Sequence, residues 1–303
     1  MIATTGMLPG GYWDAEGILH REFELSILTG RDEELLAQTK YPESASLVTA
    51  LLSRAVRRLG AISPVSRDVA RELLVADRQY LLLKLRQATF GDVVQANLFC
   101  PWADCGRPAS IKFKIDDLPV DEAAERAPFY AMTLSAEAAG GEGDDPGNEL
   151  RREVRFRLPN GADQEALSPL LAGNEAGALS MLLARAIQSV GTLSPPSVED
   201  AAALSSMARA EIEAEMERVA PKVELNIETT CPECGRGFLV PFDLQRFFFG
   251  ELRTNADLLY RQVHYLAYHY HWGESEIMTM PGTKRQRYVE LLADEIERLN
   301  HGA

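Results

Sequence analysis

The chain has 303 residues, a hydrophobic fraction of 46% and a formal net charge of −14 at pH 7. This length and composition suit a globular protein with two domains better than one. So acidic a chain is repelled by nucleic-acid phosphates and anionic lipids, which disfavours both as partners. Neither a signal peptide nor an apolar run near the roughly 20 residues of a membrane helix is evident, so we expect a cytoplasmic protein.

The first third of the chain mixes strand and helix patterns. Residues 1–19 are rich in glycine and lack periodicity, which favours a flexible arm. Phe23, Leu25 and Ile27 alternate as in a strand, and helices are predicted over residues 45–59 and 76–87. Ser66 is placed to cap a further helix. Within the second of these helices, Asp77 and Arg78 are adjacent, and we favour a structural ion pair over a partner contact.

A bridge over residues 119–150 separates this part from the next. Its stretch from 136 to 148 is rich in glycine and acidic residues. Such a composition cannot bury enough apolar surface to offset the chain entropy of folding, so we expect a mobile linker or long loop there.

The second half repeats the pattern of the first. Val154, Phe156 and Leu158 predict a strand, residues 178–190 a helix, and residues 197–219 a more polar helical segment. Residues 244–299 are helical in pattern, with an apolar stripe widened by tyrosines.

An offset of 131 residues aligns the two halves. Residues 51–56 match residues 182–187, Gly60 matches Gly191, and the Ser-Pro pair at 63–64 matches that at 194–195. We interpret this as an internal duplication, with a period too long for a solenoid. The predicted organisation is an arm over 1–19, module one over 20–118, the bridge over 119–150, module two over 151–243, and a helical C-terminal region over 244–303.

Both modules end in a Cys-Pro turn closed by Cys-Gly-Arg. Cys100 and Cys105 form the first pair, and Cys231 and Cys234 form the second. Each pair supplies half of a tetrahedral zinc site, although the first spacing is wider than is usual in zinc ribbons. Four thiolates would leave no position for substrate, so the zinc would be structural, adding on the order of 10 kcal/mol to folding. Unmetallated thiol pairs and redox or catalytic thiols remain alternatives.

Other candidate sites are weaker. The aromatic helix near the C-terminus makes Tyr265, Tyr268 and Trp272 candidates for binding a partner, although packing onto the modules would also explain them. The sequence contains no Ser/His/Asp constellation, phosphate-cradling glycine loop or helical His-Glu-x-x-His motif. Enzyme activity is therefore disfavoured.

Several stretches together resemble the baseplate protein family of T4-like phage contractile tails and related contractile injection systems. They are residues 17–36, residues 77–86 with 89–92, and the knuckle of Cys100 and Cys105. Residues 259–272 with 276–277 look like a segment found in small proteins of the same injection systems. The resemblance implies a non-enzymatic role in a baseplate or its assembly, in contact with hub, spike or wedge proteins.

The sequence thus predicts an α+β protein with two duplicated modules, a shared zinc-ribbon-like site of four cysteines and a helical C-terminal region. Its predicted role is a structural or assembly component of a contractile machine, bound to other baseplate, hub or spike proteins. A zinc-ribbon adaptor for nucleic acid or another protein complex is the alternative. A zinc-thiol oxidoreductase is a more distant one, and would require a reactive cysteine of low pKa.

Overall fold

The computed structural model describes residues 3–38, 44–139, 152–171, 173–254 and 256–301. The mixture of helices and strands confirms the predicted α+β class, and the C-terminal part is helical, as predicted. No helix in these ranges is both long and apolar enough to cross a membrane.

The first sheet corrects the prediction of a flexible arm. Ala3–Trp13 forms strand β1, which pairs antiparallel with β2 (Leu19–Ser26). Leu8 is fully buried. The glycines do not mark flexibility, because at Gly6 a Cβ would lie 2.6 Å from the ring of Phe23. Close packing against β2 is a non-local constraint that local periodicity does not show.

The predicted helix over 45–59 is shorter than expected. Helix α2 (Ala45–Ala55) follows α1 (Gly30–Gln38), and the chain then becomes strand β3 (Val56–Leu59). Strand β3 pairs antiparallel with β2, which puts its backbone hydrogen bonds in the sheet. Its apolar residues fit a helical stripe as well as a buried strand, so periodicity alone could not choose.

Two helices and a hairpin complete the first module. Ser66 caps α3 (Arg67–Glu72) by accepting from the backbone N–H of Val69, as predicted. Helix α4 (Val75–Phe90) follows and has buried leucines on several faces. Strand β4 (Val93–Phe99), at the predicted residues, pairs antiparallel with β5 (Pro108–Lys114).

The second module is built around its own antiparallel sheet. Its strands are β7 (Tyr130–Thr133), β8 (Glu153–Phe156) and β9 (Ile187–Val190). Strand β7 lies within the predicted bridge, whereas the glycine-rich stretch falls largely outside the described residues, beyond 139. The predicted helix over 178–190 ends at 186, and β9 begins at 187. The helices are α5 (Gly161–Leu171), α6 (Glu175–Ala186), α7 (Val198–Ala203) and α8 (Ser206–Val219).

After α8 the chain returns to the first module. Short strands β6 (Val120–Asp121) and β10 (Lys222–Val223) pair where the chain leaves and re-enters it. The hairpin of β11 (Asn226–Thr230) and β12 (Gly237–Pro241) comes next. The C-terminal helices are α9 (Leu244–Thr254), α10 (Ala256–Tyr270), α11 (Glu274–Met278) and α12 (Gly282–His301).

The described residues form three apolar clusters. The first joins β2, α2 and α4 to Phe248 and Leu252 of α9. The second lies between the second sheet and α8, and the third is confined to the C-terminal helices. Ile227 of the second hairpin packs on the first cluster. The second hairpin and α9 therefore complete the core of the first module.

Asp77 and Arg78 are both buried but do not form the expected ion pair. Asp77 instead accepts hydrogen bonds from the backbone N–H groups of Gly10 and Gly11, each at 2.8 Å. The guanidinium of Arg78 donates to the carbonyls of Ala45 and Ala70 at 2.9 and 2.8 Å. Neighbours on a helix point in different directions, so each residue fixes a different element to α4.

Burial raises the pKa of Asp77 to about 6, against the opposing effect of those two N–H donors. The ordinary value is 3.8, so the folded state holds this proton more tightly than the unfolded chain does. The contribution of this Asp77 proton to the free energy of unfolding is then complete below pH 4 and is lost as the pH rises through 6.

The variant Asp77→Asn should remove this pH dependence. The free energy of unfolding of the wild type, relative to that of the variant, should fall by on the order of 2–3 kcal/mol between pH 4 and pH 7. Urea denaturation followed by tryptophan fluorescence measures both proteins. Parallel pH profiles would contradict the prediction, whatever the absolute stability of the variant.

Candidate metal centre

The tips of two β-hairpins carry the four cysteines of the chain. Cys100 and Cys105 lie between β4 and β5, and Cys231 and Cys234 lie between β11 and β12. The hairpins come from distant parts of the sequence, but both pack on the first core. Their tips are therefore brought together by folding.

Each tip reverses the chain in the same way. The N–H of Cys100 donates to the carbonyl of Arg107 at 2.9 Å, and that of Cys231 to the carbonyl of Arg236 at 3.0 Å. The glycine after each second cysteine has a positive φ, 55° at Gly106 and 71° at Gly235. Side chains other than hydrogen rarely tolerate this conformation, which explains the repeated Cys-Gly pair.

The four sulfur atoms form a compact group. All of them lie within 4.8 Å of one another. The Sγ atoms of Cys100 and Cys234 are 3.9 Å apart, and those of Cys105 and Cys231 are 3.8 Å apart. A tetrahedral zinc with bonds of about 2.3 Å to sulfur would set sulfurs about 3.8 Å apart. The donor set and its spacing therefore fit a metal ion, and the wider first spacing does not prevent it.

The surroundings of the thiols differ between the four positions. Cys100 and Cys231 are buried, and burial raises the pKa of Cys100 to about 12. The pKa of Cys234 is lowered to about 6 by the backbone N–H of Arg236 and then by its guanidinium. A divalent cation would favour the thiolate at every position, including the buried ones.

Arg236 also joins the two tips directly, which sequence reasoning missed. Its Nη2 atom lies 2.6 Å from Oδ1 of Asp104, and its guanidinium stands 4.9 Å from the ring centroid of Trp102. The repeated Cys-Gly-Arg was the available signal, but only the structure shows that the second arginine contacts the opposite knuckle. A planar guanidinium that both lies over an aromatic ring and pairs with a carboxylate is an arrangement that lysine would not reproduce.

The predicted partner-binding residues lie in and just after α10. Tyr268 is 69% exposed. Tyr265 is half-buried and meets His269 at 4.8 Å between ring centroids. Trp272 stacks on Tyr270 at 4.6 Å within the C-terminal cluster. Tyr268 is thus the most accessible of the three, and partner binding stays a prediction.

Metal analysis of the purified chain should find one ion per protein, because the four sulfurs make a single site. Cys231→Ser should lower metal occupancy by more than about tenfold, since three thiolates leave the ion incompletely held. Glu233→Gln is the matched control, because Glu233 is exposed on the second knuckle and the change keeps all four sulfurs and the pair of Arg236 with Asp104. Mass spectrometry of the eluted metal decides the outcome, and equal occupancy in both variants would contradict the assignment.

Two family matches cover nearly the whole chain. Residues 20–249 match the family described as T4 bacteriophage base plate protein. Residues 252–303 match a separate family of unknown function, DUF6760. Comparison with curated proteins found no match, and comparison with solved structures found none either.

The first match spans about three quarters of the chain and includes both cysteine pairs. It also includes the stretches at 77–92 and 100–105 that carried the resemblance. The predicted family is therefore confirmed: the chain belongs to the T4 bacteriophage base plate protein family.

Proposed function

We propose that this chain is a non-enzymatic structural or assembly component of the baseplate of a phage-like contractile tail or contractile injection system. The family match over residues 20–249 is the observation that carries this proposal. The match runs from the first sheet to α9, so it includes both modules and both hairpins. A baseplate structural role thus concerns the folded unit as a whole rather than one motif.

The four cysteines would hold one structural zinc, with Cys100, Cys105, Cys231 and Cys234 as ligands. Sulfur separations of 3.8 and 3.9 Å support this assignment. Such a site has no open position for substrate, which agrees with a structural role. The ion would fasten the second hairpin to the first and contribute on the order of 10 kcal/mol to folding.

The two modules would be duplicates of one unit. Three pairs of elements begin 131 residues apart. Strand β3 begins at 56 and β9 at 187, α3 begins at 67 and α7 at 198, and α4 begins at 75 and α8 at 206. These correspondences support modules over 20–118 and 151–243, to which β1 adds an N-terminal strand and β7 an equivalent one.

Other baseplate, hub or spike proteins would be the partners, and α10 offers a surface for them. Leu258, Tyr265 and Tyr268 recur at helical spacing, and Leu258 and Tyr268 are exposed. Exposed aromatic residues are enriched at protein interfaces. Tyr265 and Tyr268, together with Trp272 just after the helix, form the proposed partner contact.

Co-sedimentation with purified contractile particles tests the baseplate role. We expect the chain in particles at a fixed ratio if it is a structural subunit. If it is an assembly factor, we expect it only in the soluble pool. Particles should then fail to assemble in a strain that lacks it. Absence from particles together with normal assembly in a deletion strain would refute both forms. A salt-dependent shift of DNA or RNA by the purified chain would then favour the adaptor.

Tyr268→Ala should weaken particle or partner binding by about tenfold, because tyrosine is enriched among the interface residues whose truncation costs more than about 1 kcal/mol. Leu299→Ala is the matched control, since Leu299 is 64% exposed on the last helix. Quantitative pull-down of baseplate proteins by each variant measures the effect. Equal loss in both variants, or none in either, would contradict the proposed surface.

A further inference from the structure

A backbone-to-backbone contact joins the two modules. Leu74, before α4, forms an antiparallel bridge with Asn160, before α5. The N–H of Gly161 donates to the carbonyl of Leu73 at 3.1 Å. We name residues 73–78 the first arginine segment. We name residues 160–164 the second acceptor turn, because an equivalent turn occurs earlier in the chain.

The buried guanidinium of Arg78 completes this contact. Its Nε donates to Oε1 of Gln164 at 3.1 Å, and the side chain is 1% exposed. A Cβ on Gly161 would lie 2.2 Å from Nη1 of Arg78. Only a glycine at this helix start lets the arginine approach, so the turn and the segment are chemically matched.

The C-terminal region makes the same backbone contact with module one. Pro281 forms an antiparallel bridge with Thr29, and the N–H of Gly30 donates to the carbonyl of Met280 at 3.2 Å. Residues 280–285 are therefore a second arginine segment, and residues 29–33 are the first acceptor turn. This turn is the counterpart of 160–164 at the offset of 131.

The side chains of the C-terminal contact also correspond to those of the contact between the modules. Arg285 is 1% exposed, and its Nη2 donates to Oε2 of Glu33 at 2.5 Å. Glu33 and Gln164 each lie three residues after the glycine of their acceptor turn. Arg78 lies four residues after the bridging Leu74, and Arg285 lies four residues after the bridging Pro281. Two unrelated stretches, 73–78 and 280–285, thus use one docking chemistry.

A third segment of this shape is present in module two at residues 204–209. Leu204 and Ser205 have φ/ψ of −57°/139° and −59°/154°, close to −60°/141° and −57°/149° at Leu73 and Leu74. The N–H of Arg209 donates to the carbonyl of Ser205 at 3.1 Å, as that of Arg78 does to Leu74 at 2.9 Å.

No β-bridge forms at this third segment within the described ranges. Met207 is 44% exposed, Ser205 and Ser206 are exposed, and Leu204 is half-buried where Leu73 is fully buried. The guanidinium of Arg209 donates to the carbonyls of Leu204 and Ala202, and the hydroxyl of Ser205 donates to the carbonyl of Ala138 at 2.9 Å. The segment therefore has the backbone of a docked segment and is bonded to module two and the bridge, while its face at Ser205, Ser206 and Met207 is exposed.

We propose that residues 204–209 dock the first acceptor turn of a second copy of this chain, after residues 280–285 have left that turn. Two acceptor turns occur in the described chain, and the one at 160–164 is enclosed between the modules. The turn at 29–33 carries Glu33, whose carboxylate complements Arg209. It is covered by a region that matches a separate family, residues 252–303.

The C-terminal region is, on this proposal, a cap against head-to-tail assembly. Its tether holds residues 280–285 near the turn at an effective concentration on the order of millimolar, so dilute wild-type chains stay apart. Once uncapped, each chain offers one segment and one turn on different surfaces. Such a heterologous contact builds rings or open filaments rather than two-fold dimers.

The experiment uses the full chain with Arg285→Ala, which removes the buried anchor of the cap. Sedimentation velocity over a concentration series should show self-association at least tenfold tighter than that of the wild type. Adding Arg209→Ala should return the protein to wild-type behaviour. Arg287→Ala is the matched control, because this neighbouring arginine is exposed and pairs with Glu290 on its own helix.

Hydrogen exchange of residues 280–285 reports whether the cap has left its turn. If Arg285→Ala alone does not raise exchange there, the double variant Met278→Asp/Arg285→Ala adds a carboxylate to a buried position beside Gly30. A chain with fast exchange that still sediments as a monomer at every concentration overturns the proposal. Association that survives Arg209→Ala also overturns it, because the contact would then lie elsewhere.

Discussion

The path of this chain is constrained by four sulfur atoms that all lie within 4.8 Å of one another. Because two of them follow the other two by more than 120 residues, the second hairpin must return to the first. Module two is therefore inserted between the two hairpins, and the pairing of β6 with β10 closes the base of the insertion. Once the chain has returned, Phe248 and Leu252 of α9 fill the first core. A metal at the sulfurs would close a long loop, which is where a cross-link removes the most entropy from the unfolded chain.

The modules are also held by contacts that need no metal. Arg78 is buried with its guanidinium bonded to backbone carbonyls and to Gln164 across the interface. A buried charge is tolerated only when its hydrogen bonds are satisfied, so this contact requires a specific geometry. Arg285 meets the same requirement at the C-terminal interface. The hairpin tips add Arg236, which lies over the ring of Trp102 and pairs with Asp104. Arginine thus takes part in the contacts at the module interface, at the C-terminal interface and at the hairpin tips.

Local sequence signals were sufficient where the structure is locally determined. Strand β4 occupies the predicted residues, Ser66 caps its helix, and the C-terminal region is helical. The signals failed where pairing is non-local. Residues 3–13 form a strand because β2 lies beside them, and residues 56–59 leave the helix for the same reason. Glycine in β1 suggested flexibility but serves close packing against Phe23. Asp77 and Arg78, adjacent in sequence, bond to different elements.

The sequence by itself determined the four cysteines, their two turns, the offset of 131 residues and the family of the chain. These features depend on residue identity and spacing, which folding does not alter. The sequence also predicted that the two cysteine pairs share a site, but tertiary structure alone decided the distances between the sulfurs, that the second hairpin completes the first core, and that Arg236 contacts the opposite knuckle. It also decided which arginine segments are covered, at 73–78 and 280–285, and which is exposed, at 204–209. Burial and contact depend on residues far apart in the chain, so no local pattern could have shown them.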